Sequence, residues 1–445
     1  MKAFSFLHCA DIHLGSPMRG LGRMPRALRD RLRDAPTMAF GRMVTRAIDQ
    51  DVDAVIIAGD LFDGTDRNLR AQVQLRDQLR RLDEAGIPTL IASGNHDPLG
   101  SLSATVSLPP SVHVFGSTPE PVVIRRGDTE LAHVYGISYT KSATYRNLAA
   151  DFPRRPGGPF NIAVLHTNVG DRSGFARYAP CRLAELLESG YDYWALGHVH
   201  TRETLHTRRP IVHYPGNPQG LHTGEPGARG ATLVKVSDAG TIDLHPVWTD
   251  VVRWHRARSS IDGLEAIDEL VGAFAELAGN LRGTAADRMH IVRWTLTGNG
   301  PLHAALNRPG AGPELCDTLR AAEGIRAEGG VVWLERIELA TGPARDMERL
   351  RNQQDYLGDI LRLARQLELH PPLPPSADVA DARPPGQEPA VSRSVREALD
   401  ELLELPRLTR ALGRDPWSLL SWKELVARAE AMAVEHLAPG EVSDR

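Results

Sequence analysis

Five short apolar runs in this chain end alike, and that repetition limits how it can fold. Residues 4–10 run into Asp11 and His13, residues 54–58 into Gly59, Asp60 and Asp63, and residues 89–93 into Gly94-Asn95-His96-Asp97. Residues 161–165 run into His166, and residues 191–196 into Gly197-His198-Val199-His200. A short aliphatic run bounded by glycine or aspartate reads as a buried strand. Each strand then delivers metal-capable side chains at its carboxyl end. An Asp and a His two positions apart can aim at one ion, and Asp60 can share its two carboxylate oxygens between two ions. The donors are imidazoles, carboxylates and the Asn95 amide, with no thiolate. That mixture suits Mn, Fe or Zn better than Ca and differs from a structural zinc site. Two such ions side by side form a clamp for phosphoryl transfer.

The segments between the runs supply the layout. Phe40, Met43, Val44 and Ala47 fall at i, i+3, i+4 and i+7, which predicts an amphipathic helix over residues 38–48. A second helix over residues 67–85 leads to the third run. Alternating apolar strands and helices indicate a parallel sheet with flanking helices, an α/β arrangement. Residues 112–139 break into shorter strands, and residues 212–214, 231–236 and 242–247 read as closing antiparallel strands. Residues 1–250 thus form the block that carries all five clusters. Residues 251–342 predict a small α+β domain without a chemical motif. Residues 343–370 read as one long polar helix, and 371–392 as a Pro-rich linker. Residues 393–445 read as helical again. One stripe there is Val395, Leu399, Leu402 and Leu403, and Trp417, Trp422 and Leu425 fall in a second helix or its approach. Such a stripe suits docking into a partner's groove, or packing onto its own chain.

Composition narrows the function. A chain of 445 residues exceeds one ordinary domain. A net charge of −4 and a pI near 6.5 argue against a surface that grips nucleic acid throughout. A local basic groove remains open. Residues 18–34 carry Arg19, Arg23, Arg26, Arg29, Arg31 and Arg33 against Asp30 and Asp34. This segment reads as a phosphate-contacting wall, with Arg19, Arg23 and Arg26 as DNA contacts, as a loop over the site, or as a solvated helix face. Three scattered cysteines form no disulfide framework and point to a reducing compartment. Asp11 and His13 interrupt the first run too soon for a signal peptide, and no run is long enough to span a bilayer. A cytoplasmic protein without membrane contact is the expectation.

Taken in order, Asp11-x-His13, Gly59-Asp60-x-x-Asp63, Gly94-Asn95-His96-Asp97, His166 and Gly197-His198-x-His200 resemble the calcineurin-like metallophosphoesterase family over roughly residues 1–250. The stretches around Asp11, Asp60 and His198 are similar to SbcD-like DNA repair exonucleases, and more so to the YhaO-type branch of that group. The resemblance implies a core of two packed β-sheets flanked by helices, a small capping domain, and C-terminal helices that dock on an SMC-like coiled-coil ATPase. It is also compatible with a homodimer. By motif position, Asp11, His13, Asp60 and His200 would hold one divalent ion, and Asp60, Asn95, His166 and His198 the second. Mn is the first expectation, with Fe, Zn or Mg as alternatives. His96 would act on the phosphate as general acid or transition-state stabiliser, oriented by Asp63.

The implied function is a two-metal DNA nuclease of exonuclease and endonuclease type, acting in DNA repair. A phosphatase or cyclic-nucleotide phosphodiesterase of the same fold is the alternative, disfavoured by the long extension beyond the core. A scaffold with a decayed site is disfavoured because no ligand position is missing. His8, His133, His213 and His245 read as core or hydrogen-bonded residues. Asp97 reads as a turn cap, Asp192 as a strand-entry residue, and Gly216-Asn217-Pro218 as a turn bordering the site.

Overall fold

The computed structural model describes residues 1–18, 24–63, 69–100, 107–154, 157–170, 176–323, 330–344, 347–369, 390–403 and 422–437. Arg19, Arg23, Trp417 and almost all of the Pro-rich segment lie outside these residues. The chain divides into two compact units, Met1–Pro343 and Ala344–Arg445.

In the first unit, β1 (Phe4–Cys9), α1 (Arg26–Asp49), β2 (Ala54–Ala58), α2 (Leu69–Glu84), β3 (Thr89–Ala92) and β4 (Val112–Val114) follow one another. The four strands pair in parallel. Next come β5 (Pro121–Arg126), β6 (Thr129–Ile137), β7 (Asn161–His166), α3 (Leu183–Leu187), β8 (Tyr193–Gly197), β9 (Glu203–His206) and β10 (Ile211–Tyr214). These strands form a second sheet in the order β5-β6-β7-β8-β10-β9. β11 (Gly230–Val236) and β12 (Ile242–Trp248) return to the first sheet, where β11 runs antiparallel to β1.

The two six-stranded sheets stack with helices outside. Alternation along the strands decides which layer each side chain joins. Leu7, Cys9, Val55, Ile57 and Ile91 face Phe40, Met43 and Val44 of α1 and Leu75 and Leu79 of α2. Phe6, Ala54, Ile56, Ala58 and Leu90 face the second sheet, against Ile162, Val164, Tyr193 and Ala195. The far side of that sheet packs Leu165, Trp194 and Leu196 under Leu186 and Phe152. Strands buried on both faces read as unbroken apolar runs, which is why they are visible in the sequence.

A third sheet follows within the same unit. β13 (Val252–Ser260), α4 (Ile267–Thr284), β14 (Met289–Asn299), α5 (Leu302–Leu306), α6 (Ala311–Glu323) and β15 (Val332–Gly342) give three parallel strands with helices on one face.

The predicted helix over 38–48 is part of a longer one. α1 begins at Arg26 and continues through Pro36. Proline removes one helical hydrogen bond, yet both halves of α1 are anchored. Phe40, Met43, Val44 and Ala47 pack on the first sheet. Met24, Leu28, Leu32, Ala35 and Ala39 pack on Val252, Trp254, Met289 and Ile291 near the third sheet. The arginines between them hid this second apolar face. The Arg26 side chain is 90% exposed and lies 3.9 Å from Asp30, one turn further along α1.

The single helix expected over 343–370 is also corrected. α7 (Met347–Arg351) and α8 (Tyr356–Leu369) are separate. Asp355 accepts the Gly358 N–H at 2.8 Å and so starts α8 afresh. α9 (Ala390–Leu403) and α10 (Trp422–Leu437) complete the described part of this unit. Leu357 and Leu361 of α8 pack on Val434 of α10. No helix among the described residues is long and apolar enough to cross a membrane.

Leu32→Ala tests the double anchoring of α1. It removes a side chain only 2% exposed between helix and third sheet. Urea denaturation should show a loss of about 2–5 kcal/mol; a loss below about 0.5 kcal/mol, as for a surface change, would mean the helix does not bear on that sheet.

Candidate metal centre

The parallel strands β1, β2 and β3 end at one edge of the first sheet, and β7 and β8 end at the matching edge of the second. The loops beyond β1 and β2 are zipped together by backbone bonds. Asp11 N–H donates to Gly59 O at 3.0 Å, His13 N–H to Asp60 O at 3.1 Å and Leu14 N–H to Leu61 O at 2.8 Å. To make these turns the backbone enters the left-handed region at Asp11 (φ 55°), His13 (50°), Asp60 (54°) and His198 (93°). Non-glycine residues rarely adopt it, and such strain collects at functional sites.

Two glycines allow the strand ends to close up. A Cβ on Gly197 would lie 1.8 Å from Ala58 O, and one on Gly94 would lie 2.2 Å from Asp60 Oδ1.

Asp11, His13 and His200 bring donor atoms within 4.8 Å of one another, and Asp11, Asp60 and His166 do the same. The expected grouping put Asp11 with one ion and made Asp60 the bridge. Asp11 belongs to both clusters, and Asp60 Oδ2, 3.2 Å from His166 and 4.0 Å from His13, also faces residues of both. The Asp11 carboxylate also accepts the His198 backbone N–H at 3.1 Å from both oxygens. Asn95 joins through Oδ1, 3.1 Å from His166 Nε2. His198 stands beside His166, ring centroids 5.1 Å apart, outside both clusters.

The imidazole orientations show what the centre is built to hold. His166 Nδ1 lies 2.8 Å from Ala58 O, His198 Nε2 2.8 Å from Ala176 O, and His200 Nδ1 2.5 Å from the Glu225 carboxylate. Each outer acceptor takes an N–H, which leaves the other ring nitrogen to offer a lone pair inward. His166 Nε2 then faces Asn95 Oδ1, and Asp60 Oδ2 at 3.2 Å. His200 Nε2 faces His13 Nε2 at 3.1 Å. The opposite nitrogen, His13 Nδ1, is buried without a hydrogen-bond partner. Acceptors that face acceptors need a cation or a proton between them, so this donor set fits divalent metal ions.

Without metal, the charges adjust around the clusters. Burial pushes the Asp11 carboxyl up to about 6. Burial likewise drives His13 down to about 3, helped by His200, and His198 down to about 4. Burial opposes the charge on His166, but Asp60 outweighs it and lifts the imidazole to about 9. Burial also opposes ionisation of Asp60, whose carboxyl is nonetheless held well below the usual range, chiefly by His166.

A cavity of about 730 Å³ opens over the clusters and is lined in part by Asn95, His96, Tyr178, His198 and His222. His96 is half-buried, with Nδ1 2.7 Å from Asp63 and Nε2 4.0 Å from Asp60 Oδ2.

Asp97 is not a simple turn cap. It is fully buried, and its carboxylate accepts N–H groups from Gly94 (2.7 Å), Asp60 (3.2 Å) and Leu61 (2.8 Å), so it clamps two strand-end loops together. Burial and Asp60 push its carboxyl up to about 7. Glu225 is a site residue that sequence reasoning misses, and no local pattern flags it, because its partner His200 is 25 residues away. Asn217 lies under the site, donating to Glu225 at 3.0 Å and accepting from Arg229 at 3.1 Å.

Among the histidines read as structural, His8 bonds Tyr193 and Leu196 between the sheets, His213 bonds Thr204 and Thr232, and His133 bonds Glu130. His245 is the exception, since it lies exposed on edge strand β12. Asp192 accepts the Asn161 N–H at 2.7 Å, where β7 begins.

Residues 4–202 match the calcineurin-like phosphoesterase family, and residues 254–342 match the middle domain of metallophosphoesterase YhaO. The uncharacterised metallophosphoesterase YhaO of Bacillus subtilis is 32% identical over 82% of this chain and 90% of its own length. The DNA double-strand break repair protein Mre11 of Sulfurisphaera tokodaii is 27% identical, over 53% of this chain and 61% of its own. A component of the SbcCD nuclease of Bacillus subtilis is also 27% identical, over 59% of this chain and 75% of its own.

Asp97→Asn puts an amide NH2 where backbone N–H groups need an acceptor. It should cost about 1–3 kcal/mol of stability and lower the amount of divalent metal retained after dialysis. Unchanged thermal stability and metal content would refute the clamp.

Proposed function

We propose, on the premise that this chain belongs to the calcineurin-like metallophosphoesterase family, in its YhaO branch, that it is a DNA nuclease acting in repair. Members of this family hydrolyse phosphoester bonds; the DNA substrate and the exonuclease and endonuclease modes are the proposal. Asp11, His13, Asp60 and His200 would hold one ion, and Asp60, Asn95, His166 and His198 the other, with Mn as the proposed metal. When bound, the ions supply Lewis-acid activation of the phosphoryl group and of water.

The observation that carries the reading is the His96–Asp63 couple on the wall of the cavity, beside the two donor clusters. Asp63 accepts the Nδ1–H of His96 and fixes the ring, so that Nε2 is the nitrogen that would donate a proton to the departing oxygen. The His96 backbone N–H donates to Asp60 Oδ1 at 2.9 Å and ties this acid to the metal-facing carboxylate. The choice of DNA is supported by the relatives named as a repair protein and as part of a nuclease. By the motif resemblance to SbcD-like exonucleases, the C-terminal helices would dock on an SMC-like coiled-coil ATPase, and the three free cysteines fit a reducing, cytoplasmic setting.

Digestion of end-labelled DNA with Mn tests the reading. Chelation, Asp60→Ala or His166→Ala should abolish cleavage. His96→Ala should lower kcat by about 10²–10⁴ while metal content stays at two ions. Inert DNA alongside rapid turnover of a cyclic nucleotide would overturn the nuclease assignment.

Removing residues 394–445 should leave metal binding intact and abolish co-purification with the ATPase. Unchanged co-purification would refute docking through this segment.

A further inference from the structure

The loop between β10 and β11 carries a buried carboxylate in direct contact with the site. Glu225 is 6% exposed, and its Oε1 lies 2.5 Å from His200 Nδ1. Its Oε2 accepts the Leu221 N–H at 2.7 Å and the Asn217 amide at 3.0 Å. Both oxygens are therefore engaged, and the carboxylate has a single orientation. Arg229 donates to His200 O and to Asn217 Oδ1, which secures the backbone of the same histidine.

The loop itself is held from the third sheet. The Trp254 indole donates to Gly220 O at 2.9 Å, Gly227 N–H donates to Trp254 O at 2.9 Å, and Arg256 donates to Thr223 O at 2.9 Å. Gln219 anchors the start of the loop. Its amide nitrogen donates to Val252 O at 2.6 Å, and its oxygen accepts from Val251 and Val252. The first strand of the third sheet thus grips the loop at its start, middle and end.

We propose that Glu225 is the positioning residue of His200: it holds the ring in the Nδ1–H tautomer with Nε2 aimed at the ion, from a loop fixed by β13. An outer carboxylate on a metal-binding histidine sets its tautomer and raises its basicity. The inference rests on the two-ion reading above. It adds a residue that no motif contains, and it gives the third sheet a role in building the site.

The test titrates metal-free full-length protein with Mn²⁺ by isothermal titration calorimetry. Glu225→Ala should weaken one of the two sites about 10–100-fold and leave the other unchanged. Glu225→Gln keeps an oxygen that can accept the His200 N–H but loses the charge, so it should weaken the same site by less than Glu225→Ala does. In a His200→Ala background, Glu225→Ala should add no further loss, because the carboxylate acts only through that ring. Wild-type affinity in both Glu225 variants would overturn the assignment. So would an equal added loss from Glu225→Ala with His200 already removed, which would mark a merely structural role. Should Glu225→Ala not fold, the Gln variant decides by the same criterion. If His200→Ala itself leaves Mn²⁺ binding untouched, the two-ion reading fails; if His200→Ala weakens binding and the Glu225 variants do not, only the Glu225 inference fails.

Discussion

Asp60 is the side chain on which the arrangement turns. It is 2% exposed, and its charge is shared among groups from three strand ends. One oxygen accepts the His96 backbone N–H, and the other sits 3.2 Å from His166 and 4.0 Å from His13 and His96. Its own N–H is held by Asp97, and its carbonyl takes the N–H of His13. A buried carboxylate with so few neutral donors is costly unless cationic charge sits beside it. In the metal-free protein the raised proton affinity of His166 meets that need; metal ions would meet it with two charges each.

Such a site needs a stiff frame. Four of the candidate ligand residues hold left-handed backbone angles, at roughly 1–3 kcal/mol each. The sheets beneath can sustain this because β2 and β3 are buried on both faces, and β1 nearly so. Interiors packed at crystal-like density resist the relaxation that would release the strain. The close approaches at Gly94 and Gly197 belong to the same tight frame, since a methyl group at either would push two strand ends apart.

The third sheet is more than an appendage. Its first strand fastens the loop of Glu225, and the N-terminal half of α1 packs against the same strand at Val252 and Trp254. The element that follows the first candidate ligands and the loop that supports the last one therefore share an anchor.

The amino-acid sequence by itself determined the strands, their order and the donor at each strand end. These are local properties: an unbroken apolar run signals a strand buried on both faces, and the candidate donors lie at or within a few residues of the strand ends. For the same reason the helical stripe of Phe40, Met43, Val44 and Ala47 was legible. Tertiary structure decided the rest. Asp97 read as a turn cap, yet its carboxylate reaches Asp60 and Leu61 across 37 and 36 residues. Glu225 carries no local signature, because a carboxylate 25 residues from its histidine looks like any surface acid until the chain folds. The full length of α1 was masked because its second apolar face exists only against a sheet made more than two hundred residues later. Donor identity is written locally, whereas donor orientation depends on hydrogen bonds from partners that only the fold brings near.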